Sequence, residues 1–539
     1  MRSLRDLGEA IAGALTAWFG SKVVRWVMVG MLFALGWTWV VARFYGLDRS
    51  PPGFFMDEAA PAVHAMCLAE TGKDMDGKPW PLYSSAAGGG HHPLTLHAFA
   101  ILWTGIFGTS RAAFRSVSAF FILLTSIALF LLARGLAAMI PGRSAEDSED
   151  AAAQVFPWLV LLAALLSPWS FQFSRVAWEA PLAPAFLILS LVGLLRLCRS
   201  GKLAIAWAVF AGFCAAASMT SYPPLRPVVP LVLLTAGTAL LAVTRDWPAR
   251  WNFAKGLGLA AAVAITLLIP TIEMLFAGQI NERMNNVAIW RPDWVKEHAA
   301  GLPRWAFLIK AFLDNIAVHL QPSYLFVHGD PSLRHSPQIA GELSPLDLLA
   351  LLLALGAILF VLVRLVRGRV PIAVAPGGGL SPSSRWLLAT ALLSLLGAFF
   401  GLVPAALTYE ALPHAMRSIG AWPFVALFTG AVLALGWSHR RWVAPVLTLF
   451  ALLHTLRYLP KYYRAYDKAE NHWFMREMTD TLAEQRKRGK TVEKIIAEHL
   501  AYSYSYDEVL KYYLMTEANM KCDQAAAALR AYQDQEKGK

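Results

Sequence analysis

Charge is scarce in this chain of 539 residues: Asp, Glu, Lys and Arg make up 16%, against 57% hydrophobic residues. That balance excludes an ordinary soluble protein. Cysteine is as sparse, with four residues, Cys67, Cys198, Cys214 and Cys522. No close metal-ligand spacing occurs among them, and although a Cys67–Cys522 disulfide is possible outside the cytoplasm, nothing in the sequence argues for one. Walker-type and Rossmann-type glycine loops are missing, and the run Gly88–Gly90 lacks their flanking pattern. Internal repeats and a substantial cytoplasmic domain are missing as well. These absences argue against a cytosolic nucleotide as ligand.

What the chain has is long apolar runs, such as WVMVGMLFALGWTWVVA, AFFILLTSIALFLLA and LLALLLALGAILFVLV. Each is about the length a helix needs to cross ~30 Å of hydrocarbon. The expectation is an all-α polytopic membrane protein of about eleven transmembrane helices, near residues 23–43, 112–134, 154–170, 180–197, 203–220, 227–244, 256–275, 346–366, 386–405, 418–436 and 442–458. The first run lacks a small-residue cleavage site and is read as a retained helix. Leu94–Gly108 is short and follows His91, His92 and Pro93, so it is read as an interfacial helix.

The net charge of +12 sits in short clusters between apolar runs rather than in one patch, which points to positive-inside topology and not to nucleic acid. Inner loops then hold Arg134 with Arg143, Arg196 with Lys202, Arg245 with Lys255, Arg364 with Arg369, and Arg440 with Arg441. The N-terminus is expected inside and the tail outside. Residues 1–458 form the membrane domain, with a first outer loop at 44–111 and a long outer loop at 277–345, and residues 459–539 form a small extracytoplasmic domain. Gly368–Arg385, with PGGGLSPSS, reads as a flexible inner linker.

Acids, histidines and arginines gather at outer helix ends while span interiors are almost free of charge, so a site is expected at the outer interface. In GFFMDEAA, Asp57 and Glu58 could supply a base to a hydroxyl, or simply cap a helix. In SRVAWEA, Arg175 and Glu179 are spaced for an intrahelical salt bridge, or, beside Tyr222 and Arg226 of SYPPLRP, for an anion site. HGDPSLRHSPQIAGELSP brings Asp330, Arg334, His335 and Glu342, and PHAMRSIG brings His414 and Arg417. No acidic pair is compelling as a divalent-ion site, although Asp57, His91, His92 and Glu342 could converge, so no metal or other cofactor is expected.

These motifs in this order, together with TGKDMDGKPWPLY, HHPLTLH and FGTSRAAFRSVSA, resemble the GT-C class of polytopic glycosyltransferases, in particular bacterial members related to protein O-mannosyltransferases and lipid A aminoarabinose transferases. The resemblance covers most of the chain to about residue 460. It implies an inverting hexosyl- or pentosyltransferase in the inner membrane that moves a sugar from a polyprenyl-phosphate donor to a lipid, glycan or protein acceptor on the outer face. It also implies Asp57 as general base, with Arg175 and Arg226 holding the carrier phosphate. Relatives often carry Lys-Pro-Pro-Leu where this chain has His91, His92, Pro93 and Leu94, so His92 stands in place of a phosphate-binding lysine and the phosphate leans more on arginine. The competing reading is a transporter or flippase of a lipid-linked saccharide, which would favour ionisable residues and broken helices near the midplane.

The topology is checked by cysteine labelling of intact cells: position 57 and positions in the tail after 459 should react from outside and positions 199 and 385 should not. Labelling at 199 would overturn the assignment of sides.

Overall fold

A computed structural model of the chain describes residues 22–86, 90–140, 151–244, 246–367, 381–437, 443–468, 474–500 and 507–537. Arg143, Arg245, Arg369, Arg440, Arg441, Gly88, Gly89 and most of the expected inner linker lie outside them. The fold is polytopic and all-α, with one small hairpin.

The first helix, α1 (Lys22–Phe44), leads into a looped segment and then α2 (Met56–Thr71). Strands β1 (Tyr83–Ala86) and β2 (Gly90–Pro93) pair antiparallel, with Ser84 opposite His92, and feed α3 (Leu94–Phe107). There follow α4 (Arg111–Ala137), α5 (Ala151–Leu165), the single turn-and-a-half α6 (Pro168–Phe173), α7 (Leu182–Arg199), α8 (Ile205–Ser221), α9 (Leu225–Val243) and α10 (Trp247–Phe276). The long loop carries α11 (Arg304–His319), and the membrane part closes with α12 (Pro345–Val366), α13 (Pro382–Ala406), α14 (Trp422–Trp437) and α15 (Val443–Lys468). Many starts are set by side chains that accept the first free amides: Ser110 for α4, Asp246 for α10, Ser344 for α12 and Ser381 for α13.

Among the described residues nine helices are long and apolar enough to span a membrane. Two further expected spans, α5 and α8, are shorter, at 15 and 17 residues. The first ends where Ser167 caps α6 and the second where Tyr222 turns extended before Pro223 and Pro224. α3, expected as an interfacial helix, is 14 residues long, shorter than those nine. In the apolar windows of α7 and of Ile419–Trp437, 83% of residues are buried, so these helices form the centre, whereas 17% are buried in α10 and α12. The outward Leu352, Leu355, Ile358, Leu359 and Phe360 of α12 are therefore a lipid-facing surface. Small residues permit the tightest contact: a Cβ on Gly430 would lie 2.3 Å from Val160 Cγ2, so α14 and α5 meet without a side chain between them.

The last membrane helix runs past the expected boundary at 458, because Tyr458, Tyr462 and Tyr466 extend its buried stripe. The hydroxyls of Tyr462 and Tyr466 both donate to Gln172 Oε1, at 2.8 and 3.1 Å. Beyond it the tail forms α16 (Arg476–Lys487), α17 (Asp507–Glu517) and α18 (Cys522–Lys537). α17 and α18 pack on α2, and a Cys67–Cys522 disulfide, which the sequence did not argue for, joins α2 to α18. A separation of 455 residues hides that pair from any spacing rule, since only the fold brings the two together. Gly53, at φ +73°, has the Phe474 carbonyl 1.9 Å from where a Cβ would stand, so the tail also rests against the segment before α2.

Cys522→Ser should loosen the tail by an amount in the usual range for a lost disulfide, about 2–4 kcal/mol. Limited proteolysis should then release fragments of the last 70 or so residues at protease levels that leave the wild type intact; equal resistance would show that the bond does not hold the tail.

Candidate functional site

The path from sequence to site begins with three arginines, Arg43, Arg115 and Arg175, each fully buried. A guanidinium has no apolar alternative to pairing, so each must find acceptors inside the protein. Arg115 donates to the carbonyls of Leu47 (2.9 Å), Pro51 (2.6 Å) and Gly53 (3.0 Å) and forms a two-pronged pair with Glu58, Nε to Oε1 and Nη2 to Oε2, both 2.8 Å. Arg175 donates to the carbonyls of Ala42 (2.6 Å), Arg43 (3.3 Å), Gly46 (3.3 Å) and Ser50 (2.6 Å). Arg43 reaches the Ser170 and Leu165 carbonyls. The segment from Ala42 to Gly53 is thus held by backbone carbonyls turned onto two cations, and it delivers Asp57 to the first turn of α2.

Two expected site residues depart from their assigned roles for this reason. Arg175, expected on the carrier phosphate, has its Nη donors on the backbone and its guanidinium near the rings of Phe171, Tyr462 and Tyr463. Glu58, expected among the catalytic acids, is spent on Arg115 and on the amides of Phe55 (3.3 Å) and Ala177 (2.9 Å). Nor do Arg175 and Glu179 form an intrahelical pair, because the chain between α6 and α7 is not helical there.

Asp57 is left differently. Its side chain is 37% exposed and its Oδ2 accepts from Arg334 Nη1 at 3.3 Å, with the Arg334 guanidinium 4.6 Å over the Phe55 ring. Partial burial pushes its carboxyl above the usual carboxylate range; Arg334, His92 and His335 oppose that shift and Glu179 adds to it. Glu179 Oε2 lies 3.6 Å from His92 Nδ1. His92 is buried, and both its ring nitrogens lack a hydrogen-bond partner among the described residues. Tyr222 is buried with its hydroxyl pKa raised by burial and by Glu179, and Arg417 counters. Asp57, His92, Glu179, Tyr222, Arg334, His335 and Arg417 therefore belong to one electrostatic neighbourhood.

Arg226 stands beside it at the start of α9. Its Nη2 is 3.4 Å from the Tyr83 hydroxyl, its Nε lacks a partner among the described residues, and it lowers the pKa of half-buried His91 after burial itself. Arg226 keeps donors for an anion. Arg417 uses one Nη on Thr408 Oγ1 and the Glu410 carbonyl, both at 2.9 Å.

The long loop supplies a buried polar group behind Arg334. Asp330 accepts at Oδ1 from the Ser332 amide (2.7 Å) and at Oδ2 from the Ala415 amide (2.7 Å) and His335 Nδ1 (3.0 Å), while Glu342 Oε1 accepts from the Asp330 amide (3.0 Å). Burial holds the Glu342 carboxyl well above its usual pKa and the His414 imidazole well below its own. Asp330, His335 and His414 place possible metal-ligating atoms within 4.8 Å of one another. Their donors and acceptors fit such an ion poorly: Asp330 is already bonded at both oxygens, and His414 Nδ1 accepts from the Arg417 amide (3.3 Å), which leaves the proton on Nε2. The group reads as an orienting network for Arg334 and His335, and no step is derived through a metal.

Sequence reading passed over Arg115, although an arginine five positions into an apolar run is a signal, since a buried charge implies a partner. It also passed over Glu508 in α17, a half-buried carboxylate whose pKa is raised by burial, by neighbouring Asp507 and, less, by Asp57, so that the tail presents an acid to the same neighbourhood.

The fold and this gathering of acids and cations at one end of an apolar bundle define a polytopic integral membrane protein with a polar site at its rim. No family model matches the chain, and no curated protein matches it. Solved structures similar to it include the Archaeoglobus fulgidus oligosaccharyltransferase in complex with zinc and sulfate, at 12% identity and TM-score 0.46 over 81% of this chain and 52% of that one. The same search finds ArnT from Cupriavidus metallidurans in the apo state, at 14% identity and TM-score 0.33 over 79% and 78%. It also finds that protein bound to undecaprenyl phosphate, at 15% identity and TM-score 0.32 over 78% and 77%. The chain spans about half the length of the archaeal enzyme it matches, and the functional reading rests on its own residues.

Glu58→Gln should strongly destabilise the purified protein, by about 3–5 kcal/mol for the broken ion pair, and Arg175→Ala should destabilise it by leaving four buried carbonyls without their donor, whereas Asp57→Asn and Arg226→Ala should keep the wild-type melting temperature. Normal thermal stability of Glu58→Gln would contradict the structural role given to that pair.

Proposed function

We propose that this protein transfers a sugar from a polyprenyl-phosphate carrier to an acceptor hydroxyl at the outer face of the membrane, with Asp57 as general base. The observation that carries the reading is the division of labour in the Asp57–Glu58 pair. One acid is locked into a buried ion pair, while its neighbour is partly exposed, drawn above the usual pKa range and set against Arg334 beside the unpartnered imidazole of His92. A cap alone would not need that surrounding.

In the proposed step the ionised Asp57 carboxylate takes the acceptor hydroxyl's proton as its oxygen attacks the anomeric carbon. The bond from that carbon to the phosphate oxygen breaks, both electrons leave with the polyprenyl phosphate, and the anomeric configuration inverts. Charge grows on the departing phosphate, which Arg226 meets with its remaining donors. Arg334 holds Asp57 in register and favours its ionised form, and the Asp330–His335 pair braces Arg334's loop. The apolar helices below provide a floor along which a lipid-linked donor arrives sideways, and the α17 surface carrying Glu508 closes the side an acceptor would approach.

The same placement supports an orientation. A disulfide between α2 and the tail forms and persists in an oxidising compartment, which favours an extracytoplasmic site and tail with the N-terminus inside. Transport is less well supported, because the cations within the bundle, Arg43 and Arg115, are committed to fixed acceptors rather than lining a path.

Two outcomes test this reading. Asp57→Asn should bind donor normally and lose about 10²- to 10⁴-fold in single-turnover transfer; near-normal transfer would remove the base. Because the base acts only when ionised, the rate of the wild type should fall on acidification through a pKa above the ordinary carboxylate value. Arg334 lowers that pKa, so Arg334→Gln should move the acid limb of the rate profile to higher pH. An unmoved limb would show that Asp57 is not the group being titrated.

A further inference from the structure

A cavity lined by arginines lies at the opposite end of the bundle from Asp57. α4 begins at the site, where Arg115 meets Glu58, and rises roughly 28 Å over the nineteen residues to Arg134. α7 begins just after Glu179 and ends at Arg196 and Arg199. Between these two helix ends is a cavity of about 320 Å³ lined by Leu131, Arg134, Gly135, Ala138, Arg196 and Arg199. Three guanidiniums therefore face one space near the far membrane boundary. Among the described residues no carboxylate lines it.

Packing shows why they converge. A Cβ on Gly135 would lie 2.5 Å from Leu195 Cδ2 and 4.0 Å from Arg199 Nη1, so glycine there lets α4 and α7 close on each other and draws their terminal arginines together. Arg196 sits 6.0 Å over the Trp207 ring, and among the described residues none of the three arginines has an ion-pair partner. A second, apolar cavity of about 120 Å³ runs along the same helices, lined in part by Leu132, Leu136, Leu191 and Leu195. The three side chains are exposed, so water already screens their mutual repulsion, and an anion in the cavity would offset what remains of it while gaining three sets of guanidinium donors. At a membrane boundary, the anion present at the highest local concentration is a lipid phosphate.

We propose that Arg134, Arg196 and Arg199 form a binding site for the phosphate headgroup of an anionic membrane lipid, in the leaflet opposite the transfer site, with an acyl chain along the α4–α7 surface. The inference does not depend on the transferase reading, only on the chain spanning the membrane. Three cations at the surface should together confer about a 10²-fold preference over a zwitterionic lipid.

The experiment is native mass spectrometry of the full chain released from nanodiscs of phosphatidylcholine with graded phosphatidylglycerol, with inorganic phosphate as a separate arm. The wild type should retain one phosphatidylglycerol saturably, and the Arg134→Gln, Arg196→Gln, Arg199→Gln triple variant should not. Lys202→Gln, next to the cavity but not lining it, should bind as wild type does. Should the triple variant fail to fold, Arg199→Gln alone should weaken retention several-fold. Equal retention of the two lipids, undiminished retention by the variants, or protection by inorganic phosphate without any lipid preference would overturn the proposal. So would lipid binding that emerges only after Glu146, Asp147, Glu149 and Asp150 are neutralised, since those acids would then be the native counter-charge.

Discussion

The buried pair of Arg115 with Glu58 is the interaction on which the rest of the site depends. It joins α4 to α2 at the end of the bundle where α1 gives way to loop, and the same guanidinium gathers three loop carbonyls. Arg175 does the equivalent for four further carbonyls of the same segment, those of Ala42, Arg43, Gly46 and Ser50. An isolated pair in this setting has little net worth once desolvation is counted. Its value is positional, because every donor is used and the loop has one arrangement that uses them all. Asp57 is adjacent in sequence to Glu58, so fixing one acid aims the other.

That arrangement explains how acids side by side acquire different chemistry. Glu58 accepts from a cation and two amides with no exposure, and those bonds commit it to structure. Asp57 begins the first turn of α2 facing outward, where Arg334 approaches from a loop almost three hundred residues later in the chain. Burial raises its basicity and Arg334 tempers it, the balance a base needs if it is to be ionised and still hold a proton. The tail is tied to the other end of the same helix through Cys67, so α2 is braced at its start by arginine and near its end by a disulfide.

Much of this was legible in the sequence, and what was not has physical reasons. Apolar length gave the polytopic all-α class, and nine of the expected spans are helices long enough to cross. The remaining two, α5 and α8, end early at Ser167 and at Tyr222 before a Pro-Pro pair, where turn chemistry overrides hydropathy. That Asp57, His92, Glu179, Tyr222, Arg334, His335 and Arg417 lie toward one end of the bundle was visible in the sequence, but not the roles within that group. Arg175 and Arg226 look alike in sequence, each an arginine beside prolines and aromatics, and only the count of carbonyls around them separates a structural clamp from a residue with donors to spare. The disulfide and the Asp330–His335 pair are long-range or loop geometry, which no local pattern encodes.

The account's central claim is chemical: a glycosidic phosphate bond is broken at this site. Purified protein in liposomes should therefore be given a polyprenyl-phosphate sugar labelled in the sugar and in the lipid, and the two labels followed separately. The account predicts that polyprenyl phosphate appears in step with sugar on a new molecule, at one face. If instead the intact donor crosses the bilayer with both labels together and no polyprenyl phosphate is released, the protein moves the saccharide rather than transferring it, and the account fails.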